Sequence, residues 1–366
     1  MGLMTYQGRT SGSLSIVMIA HSHLLGGMER HVVALSKAMA ENGHQVCFAG
    51  PMDGWLGHEM EQAGFGCCNV TLNGMYDVVS WVKLLRFAHA NHADVIHGHS
   101  QRGARYAAWT AWPLEVPAVG TAHSTTSHKW FKSSMHVIAV SRAVRKFLLS
   151  QGLTDEQVSM IHLGVEDIGK FSSPSDEVIT AKRPLRLGIV SRVEHLKGHD
   201  IAFRAVAALK DRLPVELTVV GDDQTQWSAD IKNMVQYSGI ADRVKFLGQR
   251  SDIAELMATF DVVLAPSRRE ALSLTLIEAA AAGRAVVASK VGGIPEVVLH
   301  KKTGLLFPSE DWQTMANMIE RLGSPAVRVA YGMAARAYYE QEFTIDHMRE
   351  KTEDVYRMLI AQRQKS

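Results

Sequence analysis

The 366-residue chain has little cysteine. Its three residues, Cys47, Cys67 and Cys68, show no metal-ligand spacing, so a cysteine metal centre is not expected. Adjacent Cys67 and Cys68 on a strand would point to opposite faces, as small apolar side chains do, and a reduced, cytoplasmic compartment fits this usage. Long hydrophobic runs are lacking too. The run "LSIVMIA" lasts seven residues before His21, too short for a spanning helix or a signal peptide. The opening "MGLMTY" carries Tyr where a myristoylation signal needs Ser or Thr. Any membrane contact is therefore expected to be peripheral. Nor is there a G-x-G-x-x-G turn, which argues against a dinucleotide-binding dehydrogenase.

With 46% hydrophobic and 21% charged residues, the composition is that of an ordinary globular protein, and the length predicts two domains. The net charge of +2 says less than its distribution: Val78–Ser150 holds nine Lys/Arg and only two acids, Asp94 and Glu115. Thirteen of the 17 histidines precede residue 165. Short apolar runs ("QVCFAGP", "DVIHGHS", "PAVGTAHS", "MHVIAVS") alternate with helical stretches. Such runs, apolar on both faces, predict a parallel sheet covered on both sides. A polar, Ser/Pro-rich stretch after Gly164 interrupts the alternation, which restarts with "LRLGIVS", "VELTVVG", "DVVLAPS" and "AVVAS". The reading is α/β: domain one over 1–164, a linker over 165–184, domain two over 185–344, and a last helix over about 345–366 that returns to domain one. In open parallel sheets ligands sit at the carboxyl ends of strands, so a cleft between two such domains is the expected site.

Two strand-end loops carry the candidate chemistry. "SRVEHLKG" sets Arg192 and Lys197 after a strand and before a helix, where a planar fork and a mobile ammonium suit a diphosphate. Taken alone, such a pair is more often solvated surface cations. "SRREALSLTLIEAAAAG" places Glu270 in a loop and Glu278 on a helix starting near Ser273. Amides of Ala271, Leu272, Ser273 and Leu274 would be free at that helix N-terminus, which favours an anion. Glu270 could accept sugar hydroxyls and Glu278 two neighbouring ribose hydroxyls. A capping glutamate and a solvated one would look the same, except that "LTLIEAAAAG" is apolar nearly all round and would bury Glu278. "GDDQ" (Gly221–Gln224) offers two adjacent acids, but no metal is expected.

Taken in order, "LLGGMERHVVALSKAMAENGHQV", "DVIHGHS", "VGTAHS", "VIAVSRAVRKFL", "SRVEHLKG", "EALSLTLIE", "GGIPEVV" and "KTGLLF" resemble the retaining glycosyltransferases of family 4, with their E-x7-E region. The resemblance spans nearly the whole chain. It implies the GT-B architecture of two Rossmann-like domains facing across a cleft. It also implies transfer of a sugar, with retention, from a nucleotide-diphosphate sugar to a hydroxyl of a glycan or glycolipid. UDP-sugar is the first expectation for the donor, and GDP- or ADP-sugar the next. Bacterial cell-surface polysaccharide or lipopolysaccharide assembly is the implied setting, without a cofactor or metal. Residue by residue, Arg192 and Lys197 would hold the diphosphate, Glu278 the ribose and Glu270 the donor sugar. His123 would sit near the transferred sugar, and Gly26 and Gly27 would let backbone approach the donor phosphates and acceptor. The chain departs from the family at Ala271, Leu272, Ser273, Ser191 and Leu163, so loop geometry is its own. A nucleotide-sugar epimerase of the same architecture and a non-catalytic nucleotide-sugar-binding protein are the alternatives.

The basic bias of the first half interleaves with aromatics: Arg102, Arg105, Lys129 and Lys132 with Tyr106, Trp109, Trp112 and Trp130. Cations beside Trp and Tyr suit an anionic membrane surface, although two of these tryptophans could simply pack a helix onto the sheet. No nucleic-acid-binding motif accompanies the basic patch. His21, His23, His97, His99 and His123 are expected at strand ends, converging on the cleft. A metal cluster is conceivable but no paired His/Asp spacing supports it, so most are expected as a hydrogen-bonded lining, His123 being the exception because of the motif around it.

Overall fold

The computed structural model describes residues 12–126, 128–131, 135–168, 178–180 and 182–365. The chain divides into two compact units, Met1–His162 with Ile345–Ser366, and Leu163–Thr344. Unit 1 contains seven strands: β1 (Ser15–Ile19), β2 (Gln45–Gly50), β3 (Gly66–Asn69), β4 (Val95–His99), β5 (Ala118–Ala122), β6 (His136–Ala139) and β7 (Val158–Met160). They pair in parallel in the order β3-β2-β1-β4-β5-β6-β7. Between them run α1 (Gly27–Glu41), α2 (Trp55–Gln62), α3 (Val78–Ala90), α4 (Ser100–Leu114) and α5 (Arg142–Ser150). Every residue of β1, β4 and β5 is buried, the expected result for strands covered on both faces. Side chains start two of the helices: Asp77 accepts from the Ser80 amide at 3.0 Å and Ser141 from the Val144 amide at 3.1 Å.

Unit 2 repeats the plan with β8 (Leu185–Val190), β9 (Val215–Val220), β10 (Val244–Phe246), β11 (Val262–Ala265), β12 (Ala285–Ser289) and β13 (Leu305–Phe307), in the parallel order β10-β9-β8-β11-β12-β13. Its helices are α6 (His199–Ala208), α7 (Gln226–Tyr237), α8 (Ile253–Thr259), α9 (Leu274–Ala281), α10 (Ile294–Val297), α11 (Trp312–Arg321) and α12 (Pro325–Glu342). The last helix, α13 (Ile345–Arg363), belongs to unit 1, where Met348, Val355 and Tyr356 join the core of β1 and α1. Both sheets reverse strand order once, at β1/β4 and at β8/β11. Crevices beyond the carboxyl ends of such strand pairs are where doubly wound sheets bind ligands.

Of the stretch read as a linker, residues 169–177 and 181 lie outside the described residues. Its first residues are bonded within unit 2: the Val165 amide donates to Phe343 O at 3.1 Å, and Arg336 Nη2 to Asp167 at 2.7 Å. At the entry to β11, the buried Asp261 carboxylate accepts from Arg183 at 2.5 and 2.8 Å and from the Arg186 amide at 2.8 Å. Burial alone would raise its proton affinity. These donors outweigh that and hold the carboxyl well below the usual range.

Candidate functional site

The switch point of unit 2 gathers the residues singled out from the sequence. β8 ends at Val190, and the following loop turns through a 3-10 turn, His195–Lys197, into Gly198, whose φ is +68°. A Cβ on Gly198 would stand 2.0 Å from Pro266 O, so only glycine lets this loop close onto the end of β11. Lys197 thereby faces Glu270: Nζ lies 2.7 Å from Oε2, with both side chains largely buried. Arg192 turns the other way. It is exposed and pairs with Glu194 at 2.9 Å. Glu278 is buried on α9.

The loop carrying Glu270 is held by two devices absent from the sequence reading. Arg268 donates to both Asp200 oxygens at 2.9 and 2.8 Å, to His195 O at 2.7 Å and to Glu310 at 2.6 and 3.0 Å. Its own amide donates to Leu196 O at 2.8 Å. Arg268 therefore clamps the Lys197 loop to the Glu270 loop. Burial opposes the charge on Asp200, but the guanidinium prevails and lowers its pKa. The second device is Gly292–Gly293. At Gly292 (φ +51°) a Cβ would fall 1.7 Å from Glu270 O, and the Gly293 amide donates to that same oxygen at 3.2 Å. This glycine turn supports the Glu270 backbone from below.

Ser273 opens α9 from a disfavoured backbone conformation. It takes φ +139° and ψ 99°, outside the regions an L-residue favours, and no side chain caps α9 there. Leu272 is buried in the core, while Thr275 donates to Val190 O at 2.9 Å and ties the start of α9 to the end of β8. Lys197, Glu270, Ser273 and Thr275 line a cavity of about 20 Å³, room for a water molecule but not for a sugar. A larger ligand would have to lie over this floor. Of the "GDDQ" acids, Asp223 is engaged by Lys232 at 2.5 Å.

Unit 1 presents a different centre. His123, just past β5, lies with Nε2 3.4 Å from Nδ1 of His99, and its ring packs edge-on to His31 with centroids 5.0 Å apart. One ligand nitrogen from each of the three falls within 4.8 Å of the others. His31, on the first turns of α1, was not singled out from the sequence, which shows no paired spacing to reveal it. Behind them His97 is fixed by Tyr356 Oη and Thr121 Oγ1, both at 2.6 Å, and stacks on His99 at 4.2 Å. Burial disfavours every imidazolium here: it takes His31 down to about 4 and His97 to about 3, and holds His99 and His123 well below the ordinary value.

Several expectations for unit 1 are corrected. His97 and His99 are fully buried, so they form its interior and not a solvent-facing lining. His21 meets Arg102 at 2.7 Å, and His23 meets Asp53 at 3.2 Å. Gly26 and Gly27 are a different matter: neither has a positive φ, and the close backbone approach expected of them does not need one. The cation–aromatic face is largely consumed by packing. Tyr106 is buried and bonds the Asp77 amide at 2.8 Å, and Arg105 sits among Tyr76, Trp109 and Trp130 at 5.3, 4.9 and 5.0 Å. Trp112 and Lys129 remain exposed, and Lys132 lies outside the described residues.

Two parallel α/β units with a cation–carboxylate pair at a switch point define the class, and comparison with known proteins supplies the family. Residues 25–167 match "Glycosyltransferase Family 4", and residues 184–324 match "Glycosyl transferases group 1". The D-inositol 3-phosphate glycosyltransferase of Stackebrandtia nassauensis is 30% identical over 295 residues, 69% of this chain and 66% of that protein. Its namesake from Jonesia denitrificans is 32% identical over 210 residues, so the chain spans about half (49%) of that relative's length. The lipopolysaccharide core biosynthesis mannosyltransferase LpcC of Rhizobium leguminosarum is 29% identical over 264 residues, 69% of this chain and 73% of LpcC. Among solved structures, Anabaena HepE in complex with UDP-glucose superposes with a TM-score of 0.83 at 24% identity, covering 94% of this chain and all (100%) of that one. The chain belongs to the family 4 glycosyltransferases and has their GT-B fold.

Proposed function

We propose that the protein is a retaining glycosyltransferase that moves a sugar from a nucleotide diphosphate, UDP before GDP or ADP, to a hydroxyl of a glycan or lipid-linked acceptor in cell-surface polysaccharide assembly. The observation that carries this reading is the Lys197–Glu270 pair at the β8/β11 switch point, beside the uncapped start of α9 and the buried Glu278. A donor entering there would exchange the pair's internal bond for two external ones. Lys197 would move to the diphosphate and Glu270 would accept from the sugar hydroxyls. Glu278 would take the ribose hydroxyls, and His123 would contact the transferred sugar. HepE and LpcC, by their names, lend the reading a UDP-sugar donor and a lipopolysaccharide setting.

In the reaction the bond from the anomeric carbon to the diphosphate oxygen breaks, leaving an oxocarbenium-like sugar. The acceptor oxygen bonds to the same face, and its proton passes to the departing phosphate oxygen. Lys197, Arg192 and the α9 amides would stabilise the charge growing on that leaving group, so no metal or organic cofactor is required. A thermal-shift screen of UDP-, GDP-, ADP- and TDP-sugars tests the reading, because a ligand that binds the native state raises its melting temperature. One donor family is expected to stabilise the protein. A flat response to all four would overturn the proposal. Epimerisation without acceptor, or binding without turnover, would decide for the alternatives.

A peripheral membrane role keeps support from exposed Val78, Val79 and Trp112 with Lys129. Flotation with anionic liposomes at low salt is expected to carry the protein upward. Recovery at the bottom of the gradient would remove that role.

A further inference from the structure

The histidine group of unit 1 has a property that hydrogen-bonded packing leaves unexplained. Both ring nitrogens of His31 are buried without a hydrogen-bond partner. Buried polar atoms are nearly always satisfied, and those that are not call for an explanation, a bound ion being one kind. The separations fit one. Zinc–imidazole bonds of about 2.0–2.1 Å place neighbouring ligand nitrogens of a tetrahedral site roughly 3.3 Å apart. His99 Nδ1 and His123 Nε2 are already 3.4 Å apart, long for a hydrogen bond, and His31 completes a triangle within 4.8 Å.

We propose that His31, His99 and His123 bind one late first-row divalent cation of the zinc class, leaving a fourth position for water or an exogenous ligand. Two features favour it. The ligands come from three separate elements, α1, β4 and the end of β5, so packing fixes their relation. His97, held between Tyr356 and Thr121, supports His99 by stacking and limits its rotation. An all-imidazole set suits Zn²⁺, Cu²⁺, Ni²⁺ and Co²⁺, and does not suit Mg²⁺ or Ca²⁺. His123 is shared with the donor reading, in which it contacts the transferred sugar, but the test below needs no nucleotide sugar, so failure of the site and failure of that reading are distinguishable.

Full-length protein without an affinity tag, stripped with chelator, is titrated with Co²⁺ and followed by its visible d–d absorption. One equivalent is expected to give the intense bands of four-coordinate cobalt, bleached by Zn²⁺ and unmoved by Mg²⁺. His31→Gln and His99→Gln should weaken binding beyond the 10–100-fold typical of losing a supporting partner. His58→Gln, an exposed control on α2, should leave it intact. Only the weak bands of hydrated cobalt, or full binding by His31→Gln, would overturn the site. Circular dichroism shows whether the variants fold. X-ray absorption of the zinc-loaded wild type decides independently of them: three imidazole ligands support the site, and fewer overturn it.

Discussion

The two units place polar centres at the same point of the same topology, yet build them from opposite materials. In unit 2 the centre is charged: Lys197, Glu270 and Arg268 in loops beyond β8 and β11, and Asp200 on the first turn of α6, are partly open to solvent. In unit 1 it is neutral: His97 and His99 on β4, His123 just past β5 and His31 on α1 pack together, with three of the four at 0–4% exposure. Full charges must keep water or each other, so their loops stay near the surface and ready for an ionic ligand. Neutral imidazoles can be taken into the interior.

The sharpest break in that comparison comes from the charged side. Lys197→Ala and Glu270→Ala are each expected to lower donor turnover by about 100- to 1,000-fold, the scale of losing one preorganised electrostatic contact. Arg192→Ala, whose side chain points to Glu194, should cost less. Steady-state kinetics checks this, and equal losses at all three positions would remove the distinction drawn between Lys197 and Arg192.

Acid should separate the units next. The unit 1 histidines bind protons less readily folded than unfolded, so stability is full above the ordinary value of 6.5 and falls as pH drops towards 4. His31 alone, taken from 6.5 to about 4, is worth roughly 3 kcal/mol at the bottom of that window. In unit 2 the lowered carboxyls of Asp200 and Asp261 stabilise above 3.8, and that contribution is lost only below it, leaving His199 as its buried imidazole with a large shift. Hydrogen exchange at pH 6.5 and 4.5, corrected for intrinsic rates, should show β4 and β5 losing protection well before β8 and β11. Parallel loss would contradict the contrast.

Smaller effects refine the charged side. Arg268→Ala should destabilise the protein by about 2 kcal/mol in urea unfolding, since it strands Asp200 and frees both loops. An unchanged midpoint would mean the clamp is redundant. Ser273→Gly should stabilise by about 1 kcal/mol by relieving a disfavoured φ, read as a higher melting temperature. A lower one would show that the serine side chain compensates for its strain.

Legibility in the sequence follows the same division. The strands of both sheets stood out as apolar runs because both faces are buried, and Lys197, Glu270 and Glu278 were visible because their loops carry a recognisable order of residue types. What adjacency does between loops was not visible. That Lys197 reaches Glu270 depends on Gly198 closing onto Pro266, and that Glu270 is held from below depends on Gly292 meeting its carbonyl. Arg268 stood one residue from the end of "APS" with nothing to distinguish it from its neighbour Arg269. His31 lies on a helix far in sequence from His99 and His123, and only the parallel register of β1, β4 and β5 brings the three together. Arg105 and Tyr106 misled for the reverse reason, since a cation beside aromatics reads alike whether it faces a membrane or is caged in packing.

Titration calorimetry with the donor chosen by the thermal screen tests the central claim, that the unit 2 switch point holds a nucleotide-diphosphate sugar through Lys197 and Glu270. The wild type is expected to bind one equivalent, Lys197→Ala to lose affinity for both the nucleoside diphosphate and its sugar conjugate, and Glu270→Ala to lose it for the sugar conjugate alone. Unaltered affinity in both variants would contradict the claim.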